Sequence, residues 1–176
     1  MPKNGLDLLI RAMVEINKKN RTRIYKLILI GEGSEEKKLK TLTASLGLEN
    51  NIIFVGSVGH LTLPSYLNIS DVFVRPSRSE GLGSAFIEAM AAKVPIIGTK
   101  VGGIPDFLKD RETGLFCLLT PEDIASKIHV ILENHELNQV IIDNAYRLAK
   151  TRYNWNEIAE QIRRLYNKIA FQPEKF

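Results

Sequence analysis

The sequence predicts an α/β domain with a parallel sheet and flanking helices. Two observations predict it. Short apolar runs, Leu27-Ile28-Leu29-Ile30, Ile52-Ile53-Phe54-Val55 and Val72-Phe73-Val74, read as strands buried on both faces. Segments with helical periodicity alternate with them along the chain, which is the pattern of strand-helix units in one parallel sheet.

In order, Leu6, Leu9, Ile10, Met13 and Ile16 recur at helical spacing, so residues 6–19 form an amphipathic helix. A strand at 26–30 stops at Gly31. A helix over 35–46 follows through Leu39, Leu42 and Leu46, closed by Gly47 just beyond its end. After the strand at 52–55, Thr62 and Pro64 open a short helix through Tyr66-Leu67. The strand at 72–74 leads to a helix at 84–92, then a strand Pro95-Ile96-Ile97-Gly98, a short helix near 105–108 and a last strand at 114–118. Three helices finish the chain: Pro121 to Asn134, Leu137 to Lys150, and a third capped by Asn154 or Asn156 and ending near Ala170. No repeat, low-complexity tract or linker divides residues 1–176, so one domain is expected.

With 176 residues, 44% apolar and 25% charged, the chain can bury a proper core. Its net charge of +4 is spread over helix faces, as at Lys18-Lys19 with Arg21 and Arg23, and at Arg163-Arg164. The plain reading is solvated surface. An anionic substrate or membrane surface is the other, and nucleic acid is not expected, because no aromatic-and-basic motif accompanies the charge. Cys117 is the single cysteine, so no intrachain disulfide forms, and its apolar surroundings predict an inert thiol. His60, His129 and His135 lack metal-ligand spacing, and no metal site is expected. No apolar run reaches membrane-spanning length. The expected setting is cytoplasmic, with peripheral contact at an inner membrane surface left open.

Chemistry concentrates between Pro76 and Met90. Glu80 and Glu88 lie eight residues apart, and Gly81-Leu82-Gly83 between them opens the helix at Ser84. The order is strand, loop, helix, and ligands of open parallel sheets collect at the carboxyl ends of strands. The helix N-terminus suits a phosphate, and acidic side chains beside it accept hydrogen bonds from sugar hydroxyls. The loop therefore predicts a ligand that is both phosphate and sugar. Glu88 is one turn beyond Ser84 on the same helix face. Gly102 and Gly103 form a second glycine turn at the same edge, where a tight strand-to-helix connection is an equal explanation. Gly31-Glu32-Gly33 also follows a strand, but Ser34-Glu35-Glu36 comes next. There is no third glycine, and two acids in the first turn repel a pyrophosphate, so a nicotinamide cofactor is not expected.

This ordered set resembles the C-terminal, donor-binding domain of retaining glycosyltransferases of the two-domain GT-B fold, group 1 (glycosyltransferase family 4). The resemblance runs through Asn4-Gly5-Leu6-Asp7-Leu8-Leu9, Leu29-Ile30-Gly31-Glu32-Gly33, Phe54-Val55-Gly56-Ser57-Val58, Pro76-Ser77 through Glu88-Ala89-Met90, Val101-Gly102-Gly103, Thr113-Gly114-Leu115 and Trp155. It implies a Rossmann-like parallel sheet and a nucleotide-diphosphate sugar as donor, with no cofactor and no metal. It implies that Glu80 accepts from the donor sugar and that the amides of Gly81, Leu82, Gly83 and Ser84 meet the sugar and diphosphate. Glu88 would hold the ribose and the backbone of Val58 the base, while for Gly102 and Gly103 an anion facing their N–H groups is read from the position of the turn alone.

Three departures stand out. The family's phosphate-binding lysine falls on Asn4, with Lys3 adjacent as a substitute. The family's arginine and the strand that carries it have no counterpart, so the first strand, expected between those at 26–30 and 72–74, is missing. Three ways of closing that gap are open: direct pairing of its two neighbours, a swapped segment, or another chain. Lys93 occupies a usual glycine and would be strained if its backbone is left-handed. The family's N-terminal domain, source of the acceptor site and a catalytic histidine, is also absent. The chain is therefore expected to be an inactive fragment of a longer enzyme. A stand-alone nucleotide-sugar-binding module and a GT-B sugar-nucleotide epimerase are the alternatives.

Overall fold

The computed structural model describes residues 3–19 and 23–170, and Arg21 of the first basic cluster lies outside them. Helix α1 (Leu6–Lys19) leads to strand β1 (Leu27–Ile30), α2 (Glu36–Ser45) and β2 (Ile52–Gly56). Then come α3 (Leu63–Asn68), β3 (Phe73–Arg75), α4 (Ser84–Ala91) and β4 (Ile96–Gly98). A 3-10 turn at Ile104–Asp106 precedes β5 (Leu115–Phe116), and α5 (Pro121–Glu133), α6 (His135–Arg152) and α7 (Trp155–Ala170) close the chain.

All strand pairing is parallel. β1 pairs with β2 in register Leu27 to Ile52, with an irregularity at Ile30. β4 lies between β3 and β5, with Val74 opposite Ile97 and Ile97 opposite Leu115. Among the described residues β1 and β3 do not pair, so the sheet is in two parts. Direct pairing of these strands, one of the three expected ways of closing the gap, is therefore corrected. The physical reason is the helix above them. Leu9, Ile10, Met13 and Ile16 of α1 are buried in one cluster with Leu29 of β1 and Ile97 of β4, so α1 spans both parts and joins them through side-chain packing where backbone pairing is missing.

β4 shows how the layers form. Successive strand side chains point to opposite faces. Ile97 enters the cluster under α1 and α5, while Ile96 enters a second cluster with Phe86 and Met90 of α4 and Ala145 and Ala149 of α6. Both isoleucines are fully buried. Each contributes about 2–3 kcal/mol of apolar burial, which is why this strand has no polar position.

The caps set the later helices. Thr120 Oγ1 accepts from the Asp123 N–H at 3.3 Å and starts α5. Asn134 Oδ1 accepts from the Leu137 N–H at 3.0 Å, so α6 begins at His135, two residues before the sequence expectation. Asn154 caps α7 through the Asn156 N–H at 2.9 Å. α7 buries none of its side chains, and Trp155 is 82% exposed. Lys93 is left-handed at φ 60°, so the expected strain of about 1 kcal/mol is present. Its ammonium lies 4.9 Å from the Tyr146 ring centre, which offsets part of that.

Candidate functional site

The carboxyl end of β3 builds the site. Loop 76–83 begins at the fully buried Pro76 and ends at Gly83, which stands at the N-cap of α4 with φ 72° and ψ 47°. Only glycine takes this backbone without strain. A Cβ there would also lie 3.1 Å from Phe86 and 3.3 Å from Phe107. These two rings lie 5.5 Å apart, tilted by 43°, and form the apolar floor of the loop.

A glycine N-cap has no side chain to satisfy the helix start, and none caps α4. Phe86 N donates back to Gly83 O at 2.9 Å, while the Ser84 and Ala85 N–H groups donate to no described residue. These open amides carry the positive end of the helix dipole.

Glu80 stands beside them with its side chain only 14% exposed. Its Oε1 accepts from the Gly81 N–H at 3.2 Å. Its Oε2 accepts from Ser77 Oγ at 3.2 Å and lies 3.4 Å from Arg75 Nε. Ser77 is itself fully buried, and its carbonyl accepts from the buried Thr99 hydroxyl. The carboxylate is thus held from β3, from its own loop and, through Ser77, from the end of β4.

Two other loops press against this one. Gly103 N donates to Gly81 O at 3.0 Å. A Cβ on Gly102, whose φ is +53°, would fall 1.8 Å from Glu80 O. At the start of α1, a Cβ on Gly5 would fall 1.9 Å from Pro76 O. Arg78 N donates to Lys3 O at 2.7 Å. The Arg78 guanidinium grips Asp7 with two bonds of 2.9 Å each. Burial works to raise the Asp7 pKa, but the bonds and charge of Arg78, with backbone N–H groups, outweigh it and hold it below its ordinary value. The same bonds raise Arg78.

Of the residues expected from sequence, the structure gathers Lys3, Asn4, Glu80, Gly81, Leu82, Gly83, Ser84, Gly102 and Gly103 at one edge. Lys3 is exposed, with no side-chain partner among the described residues. Asn4 Oδ1 accepts from Arg75 Nη2 at 2.8 Å. Leu82 is 58% exposed at the loop tip. Glu88 lies one turn into α4, half-buried, and its carboxylate has no hydrogen bond or ion pair among the described residues. Val58 is half-buried after β2, and no hydrogen bond among the described residues ties it to the Glu80 loop. There Glu32 Oε1 accepts from the Ser57 N–H at 3.2 Å, so the Gly31–Gly33 turn serves to join two loops.

Sequence reasoning missed Arg75, Ser77, Thr99 and the Asp7–Arg78 pair. Arg75 had a readable signal: a cation ending the apolar run Val72-Phe73-Val74 must emerge at the carboxyl edge of the sheet. The ion pair, seventy-one positions apart, had none. Among the described residues no group of three metal-binding side chains occurs, and no helix is long and apolar enough to cross a membrane. His60, His129 and His135 are exposed. Burial pushes the Cys117 thiol up to about 12, as an inert cysteine requires.

Comparison with known proteins places this geometry. The family described as glycosyl transferases group 1 matches residues 1–148. A curated glycosyltransferase of Methanocaldococcus jannaschii, itself uncharacterized, is 31% identical over 169 residues, 96% of this chain and 42% of the relative. The crystal structure of the C-terminal domain of a group 1 glycosyl transferase from Francisella tularensis is 29% identical. It superposes with a TM-score of 0.75 over 87% of this chain and 81% of that one. Anabaena HepE in complex with UDP and glucose shares the fold at a TM-score of 0.85 and 24% identity, over 96% of this chain and 46% of that one. The chain spans less than half the length of the curated relatives it matches.

Proposed function

The chain belongs to the group 1 glycosyl transferases, with the fold of the C-terminal domain of a GT-B enzyme, and on that premise we propose that it binds the nucleotide-diphosphate sugar for a retaining sugar transfer. The observation that carries the reading is Glu80, held at the open N-terminus of α4 with Glu88 one turn along the same helix. An anionic diphosphate needs N–H donors, and the Ser84 and Ala85 amides offer them unused. Ribose and hexose hydroxyls need acceptors, and the carboxylates of Glu80 in the loop and Glu88 in α4 can supply them.

In this proposal Glu88 takes the two ribose hydroxyls and Glu80 accepts from the transferred sugar. The departing diphosphate gains charge as the glycosidic bond breaks. Fixed amides aimed at it, rather than a metal ion, supply the stabilisation. Val58 meets the base. UDP and glucose in Anabaena HepE support a nucleotide sugar as the donor class. The acceptor site and a catalytic histidine are assigned to a preceding domain, consistent with relatives more than twice this length. The proposed setting is cytoplasmic, and glycan, polysaccharide or glycolipid synthesis is the proposed context.

Calorimetry of Glu80→Ala and Glu88→Ala tests the roles, with a nucleoside diphosphate and with the intact nucleotide sugar. Glu88→Ala is expected to weaken both ligands tenfold or more, and Glu80→Ala only the sugar-bearing one. Equal losses for both ligands in both variants would mean that the acids merely shape the loop.

A further inference from the structure

The acids and open amides of the site leave one requirement unmet. A nucleoside diphosphate carries two to three negative charges, and Glu80 and Glu88 add two more close by. Some cation must offset them. Arg78 is committed to Asp7 by a two-pronged bond. Lys3 and Lys100 are exposed and solvated.

Arg75 differs from all three. It is the last residue of β3 and its side chain is 26% exposed, so most of the guanidinium stem is withdrawn from water. Two of its nitrogens are spoken for: Nη2 donates to Asn4 Oδ1 at 2.8 Å, and Nε faces Glu80 Oε2 at 3.4 Å. The third, Nη1, has no partner among the described residues. A planar fork pinned at two corners has its remaining corner fixed in direction. Its anchors, Asn4 and Glu80, both belong to the edge where the ligand is placed.

We infer that Arg75 is the diphosphate-binding cation of this site, its free Nη1 edge donating to a phosphate oxygen while Asn4 and Glu80 hold the rest of the guanidinium. The inference deepens the donor-binding reading and rests on it.

NMR titration of the 176-residue chain tests it. Uridine, guanosine and adenosine diphosphates are titrated first, and the best is compared with its own nucleoside. Arg75→Gln, which keeps an amide for Asn4 but loses the charge, is expected to weaken the diphosphate tenfold to a hundredfold. It should change the nucleoside by less than twofold. A second readout needs no variant: the Arg75 Nε–H resonance is expected to shift with the diphosphate and stay still with the nucleoside. Equal diphosphate affinity in wild type and Arg75→Gln, equal losses for diphosphate and nucleoside, or a motionless Nε–H resonance would each overturn the assignment. A wild-type chain that binds none of the three diphosphates would instead remove the donor-binding reading, and this inference with it.

Discussion

Replacing Gly102 by alanine is expected to harm ligand binding through a clash that the structure locates on one atom. The added Cβ would sit 1.8 Å from Glu80 O and 2.9 Å from Glu80 C. That is about 1.5 Å inside ordinary van der Waals separation. The partner is backbone, so no side chain can swing away. Either loop 99–103 lifts or the Glu80 loop moves outward. Two costs combine. Holding alanine at φ +53° costs about 1 kcal/mol, and overpacking costs about 1–3 kcal/mol more.

Gly47→Ala provides the comparison, because Gly47 has φ +66° and open space around its Cβ. It is expected to lose only the conformational part, about 1 kcal/mol. Urea denaturation of both variants therefore separates the clash from the backbone strain. Calorimetry with a nucleoside diphosphate then reads the site. Gly102→Ala, still folded, is expected to bind at least tenfold more weakly, and Gly47→Ala as wild type does. A Gly102→Ala protein no less stable than Gly47→Ala, or one with wild-type affinity, would refute the claim that the β4 loop braces the Glu80 loop.

The Asp7–Arg78 pair gives a pH signature. The folded Asp7 pKa lies below the unfolded one, so the pair's contribution is complete above the ordinary carboxylate value of about 3.9 and is lost as pH falls through the lower folded value. Asp7→Asn is expected to cost about 1–2 kcal/mol at pH 7, with its urea midpoint converging on wild type at strongly acidic pH; a gap that persists there would refute the linkage. Cys117, buried and with its pKa pushed up to about 12, is expected to resist a thiol reagent at pH 8 in the native protein and to react once urea unfolds it. Rapid native labelling would show that the cysteine is accessible.

What the sequence made legible follows from periodicity. The helices and strands rest on spacings of side chains that share one core, so α1, α5 and the buried β4 could be placed without coordinates. The glycines at 83, 102 and 103 were legible because a left-handed backbone or a close approach to another segment disfavours a side chain, whereas a Cβ on Gly81 would meet open space. Gly103 N does donate to Gly81 O, and Gly102 does lie against Glu80. The division of the sheet was anticipated as a gap, but its persistence was not. Strand propensity says nothing of which strands end side by side, and here α1 packs across both parts without bringing β1 and β3 into pairing. The start of α6 was missed for a local reason: Asn134 both ends one helix and caps the next.

The charged contacts of the site belong to a different class of information. Arg75 meets Asn4, and Arg78 meets Asp7, each pair seventy-one residues apart in sequence. No local pattern specifies such a partner, because it depends on where two elements end after the core has formed. The consequence is functional. Glu80 is fixed by Ser77, by Arg75 and by its own following amide, while Gly102 closes on its backbone and Gly5 closes on Pro76 at the start of the same loop. Groups held in this way need little reorganisation when charge develops on a ligand, which is where electrostatic stabilisation is most effective. A loop of open amides around the pinned Glu80 carboxylate is therefore stiff. Its stiffness comes from contacts between segments that the core, and not the local sequence, brings together.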